Sequence, residues 1–369
     1  MKRTKPPFRA DIVGSFLRTE PIHTARTKRD KGEITAAQLK AVEDEEIKKL
    51  IRKQEEVGLQ LVTDGEFRRA WWHFDFLGLL TGVKVVESDH GIQFAGVETK
   101  AQTLKVDGKV DFPLDHPFLD HFKFVKANTK VTPKMTIPSP TVLHFRGGRN
   151  AISKDIYPDM AGFFEDTGKA YAKAVKAFYD AGCRYLQFDD TVWAYLCSPA
   201  ELQKAKDRGD DPTGLQDIYA KMINTALAAK PADMVITTHV CRGNFRSTWI
   251  SEGGYEPVAE TLLGKINYDG YFLEYDTERA GGFEPLRFLP KGNKQVVLGL
   301  ITSKSGTLED KGEIKKRIQE AAKFAPLEQF CLSPQCGFAS TEEGNILTED
   351  QQWAKMREIV ELAEEVWGK

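Results

Sequence analysis

His239 and Cys241 stand one residue apart in Thr238-His239-Val240-Cys241-Arg242-Gly243-Asn244. The apolar run Met234-Val235-Ile236-Thr237 precedes them, so the pair falls where a buried strand gives way to a loop. Alternate residues of extended backbone point the same way, which aims one nitrogen and one sulfur at a common point and suits a transition metal. The plain alternative is a packed core histidine and a packed core cysteine. Two later residues join the pair. Glu274 follows Gly270-Tyr271-Phe272-Leu273, and Cys336 lies in Ser333-Pro334-Gln335-Cys336-Gly337, each just past another apolar run. One nitrogen, one carboxylate oxygen and two sulfurs fit tetrahedral zinc. A structural zinc knuckle draws its ligands from compact Cys-x-x-Cys pairs, whereas these are spread over about a hundred residues. A displaceable carboxylate in the set would leave a position to open for substrate. The alternative reads Glu274 as a solvated loop acid and Cys336 as a packed thiol.

Two thiolates would leave such an ion a mild Lewis acid. It would suit holding a further thiol as its nucleophilic thiolate, since a metal lowers the thiol's pKa. Thiol alkylation is therefore favoured over peptide or ester hydrolysis. Glu66, in Asp64-Gly65-Glu66, and Asp189, in Asp189-Asp190, could hold an α-ammonium group on that thiol. Turn formation and helix capping explain the same acids equally well.

These residues need a scaffold that gathers strand ends. Apolar runs occur at Ala10–Val13, Leu59–Thr63, Lys134–Pro138, Arg184–Phe188, around Val235, at Gly270–Leu273, at Gln295–Ile301 and at Gln329–Ser333. Helical periodicity falls between most of them: from Ile34-Thr35 to about Val57, and over Met160–Ala181, Leu215–Ala229, Pro257–Leu263, Leu308–Lys323 and Thr348–Trp367. Thr19–Lys31 is polar and is expected to be loop, and Glu284–Phe288 a short helical piece. Trp71, Trp72, Phe74, Phe76 and Leu77 are expected to be core or a lid. Between residues 83 and 112 apolar and polar residues alternate around glycine turns, the pattern of a β-hairpin excursion. Eight strands alternating with helices imply an α/β fold, a single (β/α)8 TIM barrel over residues 1–369 with the 83–112 hairpin inserted in it. A doubly wound open sheet is the alternative, but no Gly-x-Gly-x-x-Gly follows the first strand.

Composition narrows the rest. The chain has 369 residues, 41% of them hydrophobic, and a net charge of only -2, so neither nucleic acid nor an anionic membrane surface is an expected partner. Apolar runs are too short to span a bilayer, and no signal-length apolar segment follows the basic N-terminus, so a cytoplasmic location is expected. Cys183, Cys197, Cys241, Cys331 and Cys336 make an odd set without paired spacing, which reads as reduced thiols.

Val13-Gly14-Ser15-Phe16, Asp64-Gly65-Glu66, Gln187-Phe188-Asp189, His239-Val240-Cys241, Phe272-Leu273-Glu274 and Pro334-Gln335-Cys336-Gly337 occur in that order. This series resembles the catalytic C-terminal barrel of the cobalamin-independent methionine synthase family and its short single-barrel relatives, over nearly the whole chain. The resemblance implies zinc on His239, Cys241, Glu274 and Cys336. It also implies homocysteine held by Val13, Gly14, Ser15, Glu66 and Asp189, and a methyl group delivered from a 5-methyltetrahydrofolate-type donor. Three positions depart from the family. Its catalytic histidine after the seventh strand is Lys304 here, its pterin-facing tryptophan aligns with Phe145, and its pterin-binding glutamate with Tyr195. All three belong to the donor side. The alternatives are a methylated corrinoid donor, another thiol alkyltransferase, a metal-free enzyme like uroporphyrinogen decarboxylase, and a zinc-storing or thiol-binding regulator.

Overall fold

The apolar runs are short, flanked by glycine, proline or aspartate, and lack polar alternation, as strands covered on both faces do. The structure, a computed structural model, describes residues 3–87, 93–94, 97–98, 101–251 and 253–368. Six runs, Met135–Pro138, Tyr185–Asp190, Val235–Val240, Gly270–Glu274, Gln295–Ile301 and Phe330–Pro334, lie side by side in chain order as one parallel sheet.

The remaining staves close the sheet into a ring. Thr132–Pro133 continues the third stave backwards and pairs in parallel with Leu61–Val62. At the far edge, Ala10 bridges Leu332; the Asp11 N–H donates to Leu332 O at 3.0 Å and the Leu332 N–H to Arg9 O at 2.8 Å. Thr63 Oγ1 then donates to Gly14 O at 2.6 Å, and Phe16 N–H to Gly65 O at 3.1 Å, joining the first stave to the second. The result is the expected (β/α)8 barrel, in which residues just past each strand converge on one rim.

The surrounding helices are held by their ends and one buried face. Ala36–Glu56 starts at a capping box between Thr35 and Gln38, and Glu349–Trp367 at another between Thr348 and Gln351. Met160–Asp180 is capped by Asp159 and turns Phe163, Tyr171, Ala174 and Phe178 inward. Inside the barrel, Lys134 Nζ reaches Asp11 Oδ1 at 3.3 Å, while Asp11 Oδ2 accepts from Phe8 N–H and Tyr185 OH, both at 2.9 Å. Burial pushes the Asp11 pKa up and the Lys134 pKa down, and the charge of each opposes the shift in the other. This buried pair anchors the segment that delivers Val13, Gly14 and Ser15 to the rim.

Two expectations change. Thr19–Lys31 is not a loop: Glu20–Asp30 is a helix with Pro21 in its first turn, tied to helix Ala36–Glu56 by Thr19 Oγ1 donating to Glu46 Oε2 at 2.7 Å. It buries only Ile22 and Ala25, so it carries almost no periodic signal. The helix expected at Pro257–Leu263 is a short α-turn, Glu256–Ala259, running into a π-turn, Glu260–Lys265. In the region of the expected hairpin, Thr81–Glu87 and Gln102–Asp111 pair antiparallel with a register shift at Gly82. A side chain at Gly82 would meet Lys109 O at 2.5 Å. Residues 88–92, 95–96 and 99–100 of that excursion lie outside the described residues. Among the described residues no helix is long and apolar enough to cross a membrane.

Candidate metal centre and substrate cleft

Three strand ends supply the expected ligand set. His239 is in Val235–Val240 and Cys241 follows it; Glu274 ends Gly270–Glu274; Cys336 is two residues past Phe330–Pro334. One ligand atom from each of His239, Cys241, Glu274 and Cys336 lies within 4.8 Å of the others, and all four residues are buried. The Cys241 and Cys336 sulfurs are 3.6 Å apart. Backbone contacts fix the geometry. The Arg242 N–H donates to Glu274 Oε1 at 3.1 Å, and the Gly243 N–H to Cys241 Sγ at 3.3 Å. Gly243 has φ +96°, and a Cβ there would meet Ile250 N at 2.8 Å, so the turn after Cys241 requires glycine. Asn244 Nδ2 donates to Gly337 O at 2.8 Å and pins this loop to the one carrying Cys336. Tyr255 brackets the third ligand: its hydroxyl accepts from the Glu274 N–H at 2.9 Å and donates to Glu274 O at 3.3 Å.

The electrostatics are those of ligands short of a cation. The contact between the two thiols pushes the Cys241 pKa well above its ordinary value and holds that of Cys336 well below. Burial disfavours a charged His239, yet Cys336, Asp189 and Glu274 outweigh it and raise the His239 pKa. Burial raises the Glu274 pKa, against the attraction of Lys304. Glu274 Oε2 and both His239 ring nitrogens find no hydrogen-bond partner among the described residues. Buried polar atoms left open in this way fit a bound metal ion, and two sulfurs, an imidazole and a carboxylate suit zinc.

Beside the cluster opens a cleft lined by Val13, Ser15, Glu66, Asp189 and the ligands His239, Cys241 and Cys336. Gln187 Nε2 donates both to Val13 O at 2.8 Å and to Asp189 Oδ1 at 2.7 Å, which couples the rim backbone to the acid. Thr136 Oγ1 donates to Glu66 Oε1 at 3.1 Å, and Arg69 approaches the same oxygen at 3.6 Å. Glu66 Oε2 has no hydrogen-bond partner among the described residues. Burial raises the Glu66 pKa against Arg69 and Arg18, and pushes Asp189 up to about 7 against the pull of His239. Two buried acids lining one cleft, one of them with an oxygen free of hydrogen bonds among the described residues, suit an ammonium group. Gly14 is required beside them, since a Cβ there would stand 2.7 Å from Thr136 Cγ2 and 3.5 Å from Glu66 Oε1.

The donor-side residues are divided. Tyr195 lines the cleft, whereas Phe145 stacks against the Tyr195 ring with centroids 5.6 Å apart and is not among the lining residues. Lys304 also lies off the cleft wall: its ammonium is buried without a hydrogen-bond partner among the described residues, within electrostatic reach of Glu274, Cys241 and Cys336. Sequence reasoning missed His73 and Arg146, which line the cleft with Trp71 and Trp72. His73 is packed against Phe74 and Trp72, with ring centroids 4.0 and 4.6 Å away, and burial with the nearby Arg146 charge holds its pKa well below the ordinary value. The run Trp71-Trp72-His73, so soon after Glu66, was the available signal. Arg242, fully buried next to Cys241, gave none.

Comparison with known proteins gives the chain's family and fold relatives. The family model for the cobalamin-independent synthase catalytic domain matches residues 8–365. The uncharacterized protein YxjG of Bacillus subtilis is 54% identical over 369 residues, covering 100% of this chain and 97% of its own. The methionine synthase of Pyrococcus horikoshii is 24% identical over 368 residues, covering 99% of this chain and 96% of its own. A solved structure from Listeria monocytogenes superposes with a TM-score of 0.80 at 48% identity and covers 100% of both chains.

Proposed function

The chain belongs to the methyltransferase family of cobalamin-independent synthase catalytic domains, and on that footing we propose that it is a zinc-dependent enzyme methylating the thiol of homocysteine to give methionine. The observation that carries this reading is the meeting of His239, Cys241, Glu274 and Cys336 within 4.8 Å beside a cleft that also holds Glu66 and Asp189. The domain is read as one barrel over residues 1–369, with 83–112 as an insertion.

Zinc at the four ligands would supply the Lewis acidity that keeps a thiol deprotonated at neutral pH. The chain's own residues do the remaining work. Glu66 and Asp189 take the α-ammonium group, and the backbone at Val13, Gly14 and Ser15 takes the rest of the amino-acid end. Gln187 keeps these two contacts in register through its paired hydrogen bonds. Trp71, Trp72 and Tyr195 form an aromatic wall that excludes water from the transfer. The sulfur loses its proton and gains the methyl carbon. The donor's bond to that carbon breaks, and the donor keeps the electron pair and takes up a proton.

A 5-methyltetrahydrofolate-type donor is the first reading. The position of Phe145 behind Tyr195 and of Lys304 off the cleft wall favours keeping a methylated corrinoid as the second. Metal analysis with methyl transfer to homocysteine, comparing 5-methyltetrahydrofolate, its polyglutamates and methylcobalamin, tests the proposal. Stoichiometric zinc and methionine formation with at least one donor are expected. Turnover that survives full removal of zinc would overturn it.

A further inference from the structure

Arg242 is the least expected group near the ligands. It is 0% exposed, and none of its three guanidinium nitrogens has a hydrogen-bond partner among the described residues. Its side chain lies over the Tyr255 ring, 4.4 Å from the centroid, while its own N–H holds Glu274 Oε1. An interior guanidinium without hydrogen bonds has lost its hydration, which nearby anions must offset. Lys304 repeats the pattern from the loop after strand Gln295–Ile301, with its ammonium buried and unbonded among the described residues. Glu274 lies within electrostatic reach of both cations.

We propose that Arg242 and Lys304 determine specificity at this centre by favouring a thiolate substrate over a thioether product. The inference rests on the functional reading above. Two thiolates and a carboxylate around a dication leave one net negative charge, and a bound substrate thiolate makes it two. Two fixed cations bring the substrate-bound site to neutrality. When the methyl group arrives, the sulfur becomes a neutral thioether and its attraction to both cations is lost. The charges therefore hold homocysteine and release methionine. An ionic interaction of this kind in a buried site corresponds to about a tenfold or larger change in affinity per charge.

The test is calorimetric titration of the zinc-loaded protein with homocysteine and, separately, with methionine. Arg242→Met and Lys304→Met should each weaken homocysteine binding about tenfold or more and leave methionine binding within about twofold. The charge-retaining variants Arg242→Lys and Lys304→Arg should restore the preference, which guards against a folding defect in the methionine variants. An unchanged ratio of the two affinities overturns the inference, as does a parallel loss of both that the charge-retaining variants share. If the wild-type protein methylates homocysteine while the variants keep its ratio, the inference alone fails. If the wild-type protein binds neither compound, the functional reading fails with it.

Discussion

The sulfurs of Cys241 and Cys336 approach to 3.6 Å although 95 positions separate them in the chain. Two buried thiols at this distance affect one another's ionisation: their contact raises the Cys241 pKa and lowers that of Cys336. Cys336 is therefore a direct test of the ligand set. Cys336→Ser is expected to bring bound zinc well below one equivalent while circular dichroism stays that of a folded barrel. Plasma emission spectrometry on the purified variant checks this; undiminished zinc would remove Cys336 from the ligand set.

Tyr255 meets the backbone of Glu274 at both its N–H and its carbonyl. Tyr255→Phe leaves the Glu274 N–H buried without its acceptor, an effect of about 1–3 kcal/mol on folding. The same change loosens a ligand from behind, and loss of such outer support typically lowers metal affinity roughly 10–100-fold. Competition with a chelator of known affinity reads the second effect, and thermal melting the first.

Asp189 carries a pH dependence whose sign can be worked out. Burial raises its pKa to about 7 from an ordinary 3.8, so the folded chain keeps a proton that the unfolded chain gives up. Between those values a rise in pH favours the unfolded state, and this contribution to stability is lost as pH passes through about 7. Asp189→Asn removes the ionisation. It should stabilise the ligand-free protein by about 1–3 kcal/mol at pH 8, with little effect at pH 4, while weakening homocysteine binding. Melting curves across that range decide it; a stabilisation independent of pH would contradict the assignment.

Gly337 faces Ser15 so closely that a Cβ would stand 2.0 Å from Ser15 Oγ. Ser15 Oγ also accepts from the Ala339 N–H at 3.2 Å, so it cannot move aside without loss. Gly337→Ala should cost about 1–3 kcal/mol and raise the KM for homocysteine. The Ser15→Ala background, which removes the clashing oxygen, should recover most of the stability lost. A double-mutant cycle by denaturant titration measures the coupling.

The staves were readable because a strand buried on both faces must be nearly all apolar, as Gln295–Ile301 and Phe330–Pro334 are. The four-ligand set was readable for a related reason: polar residues directly after such runs have one rim to occupy. Helix Glu20–Asp30 was not, because it contributes two buried side chains and its stability comes from its neighbours. His73 and Arg242 were hidden for a different cause. A histidine within an aromatic run and an arginine in a loop become unusual only when burial denies them water, and burial of single polar residues has no local pattern.

The docking of the last stave has a temporal side. Cys336 is synthesised after all the other proposed ligands, and it is brought beside them when that stave, Phe330–Pro334, pairs with Gln295–Ile301. No shorter nascent length contains the complete chelate, so an ion seated early would have at most three of its four side-chain partners. Tight retention of zinc would then report that the last stave has docked, and starvation for the metal would be felt by nearly finished barrels rather than by shorter nascent chains.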